Sequence, residues 1–197
     1  VRSANNKIDE IIGMKADQKL DVLFLTETWH ENESVSIRRL RAEGFQLLER
    51  SRPPTTRAKV DSIDYVNHGG VAVAASRGIQ LTNMNIGTPK SFECICARIT
   101  FDKTSCVSLS VYRPGSKPAT AEFFEELTSV LEQLCVMSDP VIITGDVNIR
   151  LDRPEDPLSR KFNGVIEMFG LINQITVPTH QAGGQLDVMV TRQGQAA

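Results

Sequence analysis

Two short apolar runs constrain this fold more than any other feature of the sequence. Asp21-Val-Leu-Phe-Leu-Thr26 and Val141-Ile-Ile-Thr144 are rich in strand formers and bounded by polar residues. They lack the polar alternation of a strand with one wet face, so they read as strands covered on both sides. Residues 120–137 offer a cover: Phe123, Phe124, Leu127, Val130, Leu131 and Leu134 fall on one helical face, and Glu122, Glu125, Glu126, Ser129 and Glu132 fall mostly on the other. Ile8, Ile11 and Ile12 predict a helix over 6–15, Phe162, Val165, Ile166 and Phe169 predict one over 158–169, and 34–42 reads as a short helix. Strands are expected at 45–48 and 186–190. Four more follow Gly69-Gly70, at 71–76, 79–85, 92–101 and 105–112, with turns that suggest an antiparallel meander. Residues 51–68 are polar, contain Pro53-Pro54 and read as a long surface loop. Buried βα units plus a meander imply sheets packed together with helices outside. The length, 197 residues, fits one domain.

No apolar run reaches membrane-spanning length and no basic-then-apolar leader opens the chain, so a soluble intracellular protein is expected. A net charge of −2 argues against a uniformly basic nucleic-acid binder. The charge is uneven, however. Arg38, Arg39, Arg41, Arg50, Arg52, Arg57 and Lys59 are opposed nearby only by Glu43 and Glu49. Either this is a solvated helix face and loop, or it is a phosphate-tracking patch beside an active site; composition does not separate the two. Cys94 and Cys96 share a strand face, and the zinc-ligand spacings are missing around all four cysteines, including Cys106 and Cys135. They read as buried, reduced thiols.

Three acidic residues stand at strand ends: Glu27 after 21–26, Asp146 after 141–144, and Asp187 opening the last strand. Ends of buried strands converge on one rim of a sheet. Carboxylates gathered there repel one another unless a proton or cation compensates. Mg²⁺ suits one or two carboxylates together with substrate phosphate oxygens. In Gly145-Asp146-Val147-Asn148 an extended backbone would place Asp146 and Asn148 on one face. The carboxylate can take a proton from water, and the amide can hold a phosphate oxygen. The same four residues are also good turn chemistry.

Leu25-Thr-Glu-Thr-Trp29, His68-Gly-Gly-Val-Ala72, Val111-Tyr-Arg-Pro114, Gly145-Asp-Val-Asn148, Pro178-Thr-His180 and Leu186-Asp187 occur in that order. The series resembles the endonuclease/exonuclease/phosphatase superfamily. More closely, it resembles the apurinic-endonuclease-like domain of non-LTR retrotransposons. Val1-Arg-Ser and Asn6-Lys7-Ile-Asp-Glu10 look like the first segment of that domain, so the resemblance covers essentially the whole chain.

The resemblance implies a DNase I-like four-layer α/β sandwich of two packed mixed sheets flanked by helices. It implies Mg²⁺ as cofactor (with Mn²⁺ an option), double-stranded DNA as partner, a linked reverse transcriptase, a nuclear location and no membrane. The reaction would be a DNA nick leaving a 3′-hydroxyl that primes reverse transcription. Glu27 would bind the metal and Asp146 would activate or position the water. Asn148 would hold the scissile phosphate or the nucleophile, and Tyr112 would hydrogen-bond a phosphate oxygen. Thr179 and Arg113 would line the substrate, and Asp187 would join the metal or histidine network. Read without the resemblance, Tyr112 is an amphipathic strand residue, Thr179 carries no signal and Asp187 caps a strand. His68 and His180 read as structural or exposed. The family's first-strand asparagine would precede Val1, Asn5 and Asn6 being too late for it, and its Ser-Asp-His segment would follow Asp187. A single domain over 1–197 lacking both ends is therefore expected. Other superfamily chemistry (abasic-site cleavage or inositol-phosphate hydrolysis) and an inactive retroelement remnant are the alternatives.

Overall fold

The computed structural model describes residues 4–30, 34–52 and 69–194. In chain order these form α1 (Ala4–Gln18), β1 (Val22–Thr26), α2 (Val35–Ala42), β2 (Gln46–Arg50), β3 (Val71–Ala75), β4 (Ile79–Met84), β5 (Glu93–Phe101), β6 (Thr104–Tyr112), α3 (Ala121–Cys135), β7 (Val141–Asp146), α4 (Pro157–Met168), β8 (Leu171–Asn173) and β9 (Asp187–Arg192). Most of the expected 51–68 loop lies outside the described residues, as do Arg57, Lys59 and His68.

The strands make two sheets. One is antiparallel, in the order β1-β3-β2. The other runs β4-β5-β6-β7-β9-β8 and is mixed, because β6 and β7 pair in parallel. Side-chain alternation sends each sheet's two faces into different cores. From β5, Ile95 and Ile99 point toward the other sheet and join Val71, Val73, Ala75 and Leu81. Cys94 and Cys96 point the other way, into the large core beneath α3 and α4. A third core joins Ile8 and Ile11 of α1 and Leu40 of α2 to Leu25, Ala72 and Ala74 of the first sheet. The layers are therefore helix, sheet, sheet, helix, the four-layer α/β arrangement expected. No helix of the described residues is long and apolar enough to cross a membrane.

The helices on the large core start where local chemistry dictates. Thr120 caps α3 by accepting from the Phe123 N–H, and Asp156 caps α4 by accepting from Leu158 and Ser159, with Pro157 in the first turn. The six apolar residues singled out on α3 are the ones it buries.

One expectation fails. The four segments after Gly70 are not one meander: only β4, β5 and β6 are consecutive neighbours, and 71–75 is the central strand of the other sheet. All five residues of β3 are buried. A Val-Ala-Val-Ala-Ala run without polar alternation fits a strand flanked on both edges and covered on both faces. The three-residue edge strand β8 was not foreseen. The cysteines are all free, with Cys94 and Cys96 buried and Cys106 and Cys135 only half-buried. Burial pushes the Cys94 thiol up to about 11 and that of Cys96 to about 12.

Leu131 is fully buried at the centre of the α3 face. Leu131→Ala should cost about 2–5 kcal/mol of stability, read by urea unfolding; a change below about 1 kcal/mol would show that α3 does not anchor this core.

Candidate active site

Strand register builds the site. Glu93 pairs with Tyr112 across β5 and β6, Tyr112 with Asp146 across β6 and β7, and Asp146 with Asp187 across β7 and β9. Paired residues point to the same face, with neighbouring strands about 5 Å apart. One row of four functional side chains thus crosses the rim of the larger sheet. The smaller sheet contributes Glu27, one residue beyond β1. The Tyr112 hydroxyl donates to its Oε1 at 2.7 Å and ties the two sheets together.

Glu27 is held by an unusual backbone. Glu27 and Trp29 have φ of 52° and 49°, in the left-handed region that costs non-glycine residues energy. The segment is stitched to the Gly69-Gly70 pair: the Thr28 N–H donates to Gly70 O at 3.3 Å and the Trp29 N–H to Gly69 O at 2.8 Å. Gly70 sits at φ 96°, and a Cβ there would meet the Thr28 hydroxyl at 2.5 Å. The glycine pair is thus the support on which Glu27 rests. His30, which the sequence reading did not single out, is fully buried just beyond, with Nδ1 on the Thr28 hydroxyl.

Asp146 and Asn148 are brought together, but not by an extended backbone. Asn148 has φ 51°. Its N–H donates to Asp146 Oδ1 at 2.8 Å, a turn of the Asx kind, and its Nδ2 donates to Arg113 O at 2.8 Å. The turn reading and the functional reading of Gly-Asp-Val-Asn therefore describe the same loop. Gly145 is required by its neighbour strand: at φ 134°, a Cβ would overlap the Val111 carbonyl. Arg113 is 5% exposed. Its Nε donates to Val147 O, its Nη1 to Pro114 O and Lys117 O, and its Nη2 to Asn148 O, at 2.6–3.0 Å. The structure places it beneath the loop that carries Asn148 and not at the rim. Thr179 is exposed, and its Oγ1 accepts from the N–H groups of Leu186 and Asp187 at 3.0 and 3.1 Å, fixing the start of β9. The exposed His180 accepts from the Ala182 N–H within its own turn.

The arginine-rich stretch divides. On α2, Arg39 pairs with Asp9 at 2.6 Å and Arg41 with Glu49 at 2.7 Å. Arg52 instead pairs with Glu93 in the rim row. Arg52 was singled out only as one of a basic stretch, and its partner Glu93 was missed by sequence reasoning.

The rim is electrostatically strained. Burial, and then the charges of Asp187 and Glu27, push the Asp146 carboxyl up to about 6 against the Asn148 N–H and the Arg113 cation. Burial and the Glu27 carboxylate push the Tyr112 phenol well above its usual range. Among the described residues no group of three or more His, Cys, Asp or Glu side chains is arranged to hold a metal ion. A hard divalent cation that keeps most of its waters needs no such cage. One rim carboxylate, Glu27, beside two further negative groups fits that kind of binding, and the carboxylate repulsion is what a cation would relieve.

The model of the endonuclease/exonuclease/phosphatase family matches residues 2–197. No curated protein sequence matches the chain significantly. Among solved structures, the endonuclease domain of TRAS1, a telomere-specific non-LTR retrotransposon, is similar with a TM-score of 0.69 at 14% identity, covering 96% of this chain and 80% of that one. The AP endonuclease LMAP from Leishmania major gives 0.68 at 12% identity, covering 98% and 77%. The 3′ phosphatase NExo from Neisseria, bound to product DNA hairpin, gives 0.67 at 14% identity, covering 98% and 84%. At these identities the likeness is one of fold.

The Asp146 shift has a stability consequence. Its folded value of about 6 lies above the usual 3.8, so the protonated form favours the fold. This contribution is complete below pH 3.8 and is lost as pH rises through 6. In chelator-containing buffer, Asp146→Asn should therefore gain about 1–3 kcal/mol relative to wild type between pH 4 and pH 7. Urea unfolding across that range checks it; a pH-independent difference would contradict the buried, repelled carboxylate.

Proposed function

Because the chain belongs to the endonuclease/exonuclease/phosphatase family, a family of metal-dependent hydrolytic enzymes, we propose that it is a Mg²⁺-dependent DNA endonuclease of the non-LTR retrotransposon kind. It would nick double-stranded DNA in the nucleus to leave a 3′-hydroxyl for a linked reverse transcriptase. The observation that carries this reading is the gathering of Glu27, Tyr112, Asp146, Asn148 and Asp187 at one rim, beside a loop braced by the Arg113 guanidinium. The ordered motifs around Trp29 and Tyr112-Arg113-Pro114 support the retrotransposon branch.

The arrangement supports the following roles. Asp146, with a proton affinity near neutrality, takes a proton from the attacking water, whose oxygen forms the new bond to phosphorus. Asn148, fixed by its own backbone and side-chain hydrogen bonds, aligns the phosphate or the water. Tyr112 donates to a non-bridging oxygen as charge builds there. The P–O3′ bond breaks and the 3′-oxygen collects a proton. Glu27 would hold the Mg²⁺, which when bound neutralises charge on the phosphoryl group and the leaving oxygen. Asp187, held by Thr179, would complete the negative rim.

On supercoiled plasmid, Asp146→Ala and Glu27→Gln should each lower nicking by about 10³-fold or more. Undiminished relaxation by Asp146→Ala would refute the assignment. Faster cleavage of abasic duplex or phosphoinositide than of plasmid would instead move the protein to another branch of the family. Chelation should abolish nicking and added Mg²⁺ should restore it; activity that survives exhaustive chelation would remove the metal from the scheme.

A further inference from the structure

Taking the nuclease reading as its basis, we propose that Arg52, held by Glu93, is the positioning residue that fixes the direction of the Tyr112 hydroxyl. The Arg52 guanidinium carbon lies 5.6 Å from the centre of the Tyr112 ring. Its positive charge pulls the phenol's proton affinity down, against burial and the Glu27 carboxylate. Its Nε is paired with Glu93 Oε1, and Glu93 Oε2 accepts from the Gly70 N–H at 2.6 Å. Gly69 leaves the room this requires, since a Cβ there would land on the guanidinium. Both partners are largely buried, with side chains 24% and 16% exposed.

The chemistry of the hydroxyl gives this arrangement its meaning. A phenol has one proton to give and lone pairs to receive. Arg52 is a cation that can only donate, so it offers the hydroxyl proton no acceptor and repels it from its own side. The proton is left to the sector where Glu27 accepts it at 2.7 Å. A phosphate oxygen entering that sector would find the donor already aimed, at little reorganisation cost. The guanidinium beside the ring, clamped by Glu93, restrains the ring itself. Arg52 also walls a cleft of about 450 Å³, together with Arg50, Lys90 and Glu93. There its charge is already matched by Glu93, so its main effect is on Tyr112 and not on overall DNA attraction.

The test combines two readouts on the protein. The 197 residues contain two tyrosines, Tyr65 and Tyr112, so ring-labelled tyrosine spectra, assigned with Tyr112→Phe, report on Tyr112 without catalysis. Arg52→Gln should shift the Tyr112 ring signal, and Glu93→Gln should shift it in the same direction. In steady-state plasmid nicking, Arg52→Gln should lower kcat about 10–100-fold with KM within about threefold. Combined with Tyr112→Phe it should add less than about threefold to the worse single variant, since both remove one aimed donor. Arg52→Lys keeps charge without the planar fork and should stay within about threefold of Arg52→Gln. A KM-only effect, a fully multiplicative double variant or full rescue by lysine would overturn the proposal, as would an unmoved Tyr112 signal. Wild-type protein that fails to nick DNA while its Tyr112 signal still responds to Arg52→Gln would refute the nuclease reading and leave the positioning contact standing.

Discussion

The register of β7 between β6 and β9 is the constraint on which both core and site depend. In that register Val141 and Ile143 face the large helical core while Asp146 faces the gap between the sheets, beside Tyr112 and Asp187. A slip of one residue would reverse every side chain of the strand, burying a carboxylate under α3 and turning an isoleucine toward the rim. Gly145 enforces the register at the end that matters. Its backbone lies so close to Val111 that no side chain fits, so the strand can seat only with a glycine at that point. Asp146, the next residue, is thereby delivered to one place.

The rim is costly to build, and the rest of the domain offsets the cost. Glu27, Trp29 and Asn148 each hold left-handed backbone conformations, a penalty of order 1 kcal/mol or more per residue. Burial, and then the neighbouring charges of Asp187 and Glu27, lift the Asp146 carboxyl to about 6. Against this stand the large core of α3, α4 and the six-stranded sheet, and the hydrogen bonds that hold each strained residue individually. Glu27 is flanked by the bonds of Thr28 and Trp29 to the glycine pair, and Asn148 is held by Asp146 and Arg113. The strain is local, and so are its braces. This is how a site keeps like charges together while the fold remains stable.

Much of this was legible in the sequence, for physical reasons that also explain the gaps. The helices and most strands follow from periodicity, because burial on one face leaves a period that does not depend on long-range pairing. Glu27, Asp146 and Asp187 stood out because each adjoins a buried run. The partition of strands between sheets did not show: β3 pairs with β1 and β2 and not with β4, its neighbour in sequence, and local pattern carries no record of which distant strand is chosen. Three-residue β8 is too short to have a period. Asn148 was identified as a residue but not as a conformation, since its left-handed turn depends on the Arg113 carbonyl contributed by another strand end. Arg52 and Glu93 are 41 positions apart, and nothing local to either announces the other.

The two arginines near Tyr112 show how position, and not residue type, sets a role. Arg113 is adjacent to the tyrosine in sequence and was expected to line the substrate, yet its fork is occupied by two carbonyls of the loop that carries Asn148 and two of the segment that follows β6. Such a guanidinium replaces the secondary structure that the loop lacks, satisfying carbonyls that would otherwise be buried without donors. Arg52 is distant in sequence but faces the tyrosine ring, and its charge is balanced by a carboxylate of the same row. One cation therefore supports the backbone on the Asp146 side of the rim, and the other supports the hydroxyl on the Glu27 side. Tyr112 stands between them, and its strand end is where the two sheets meet.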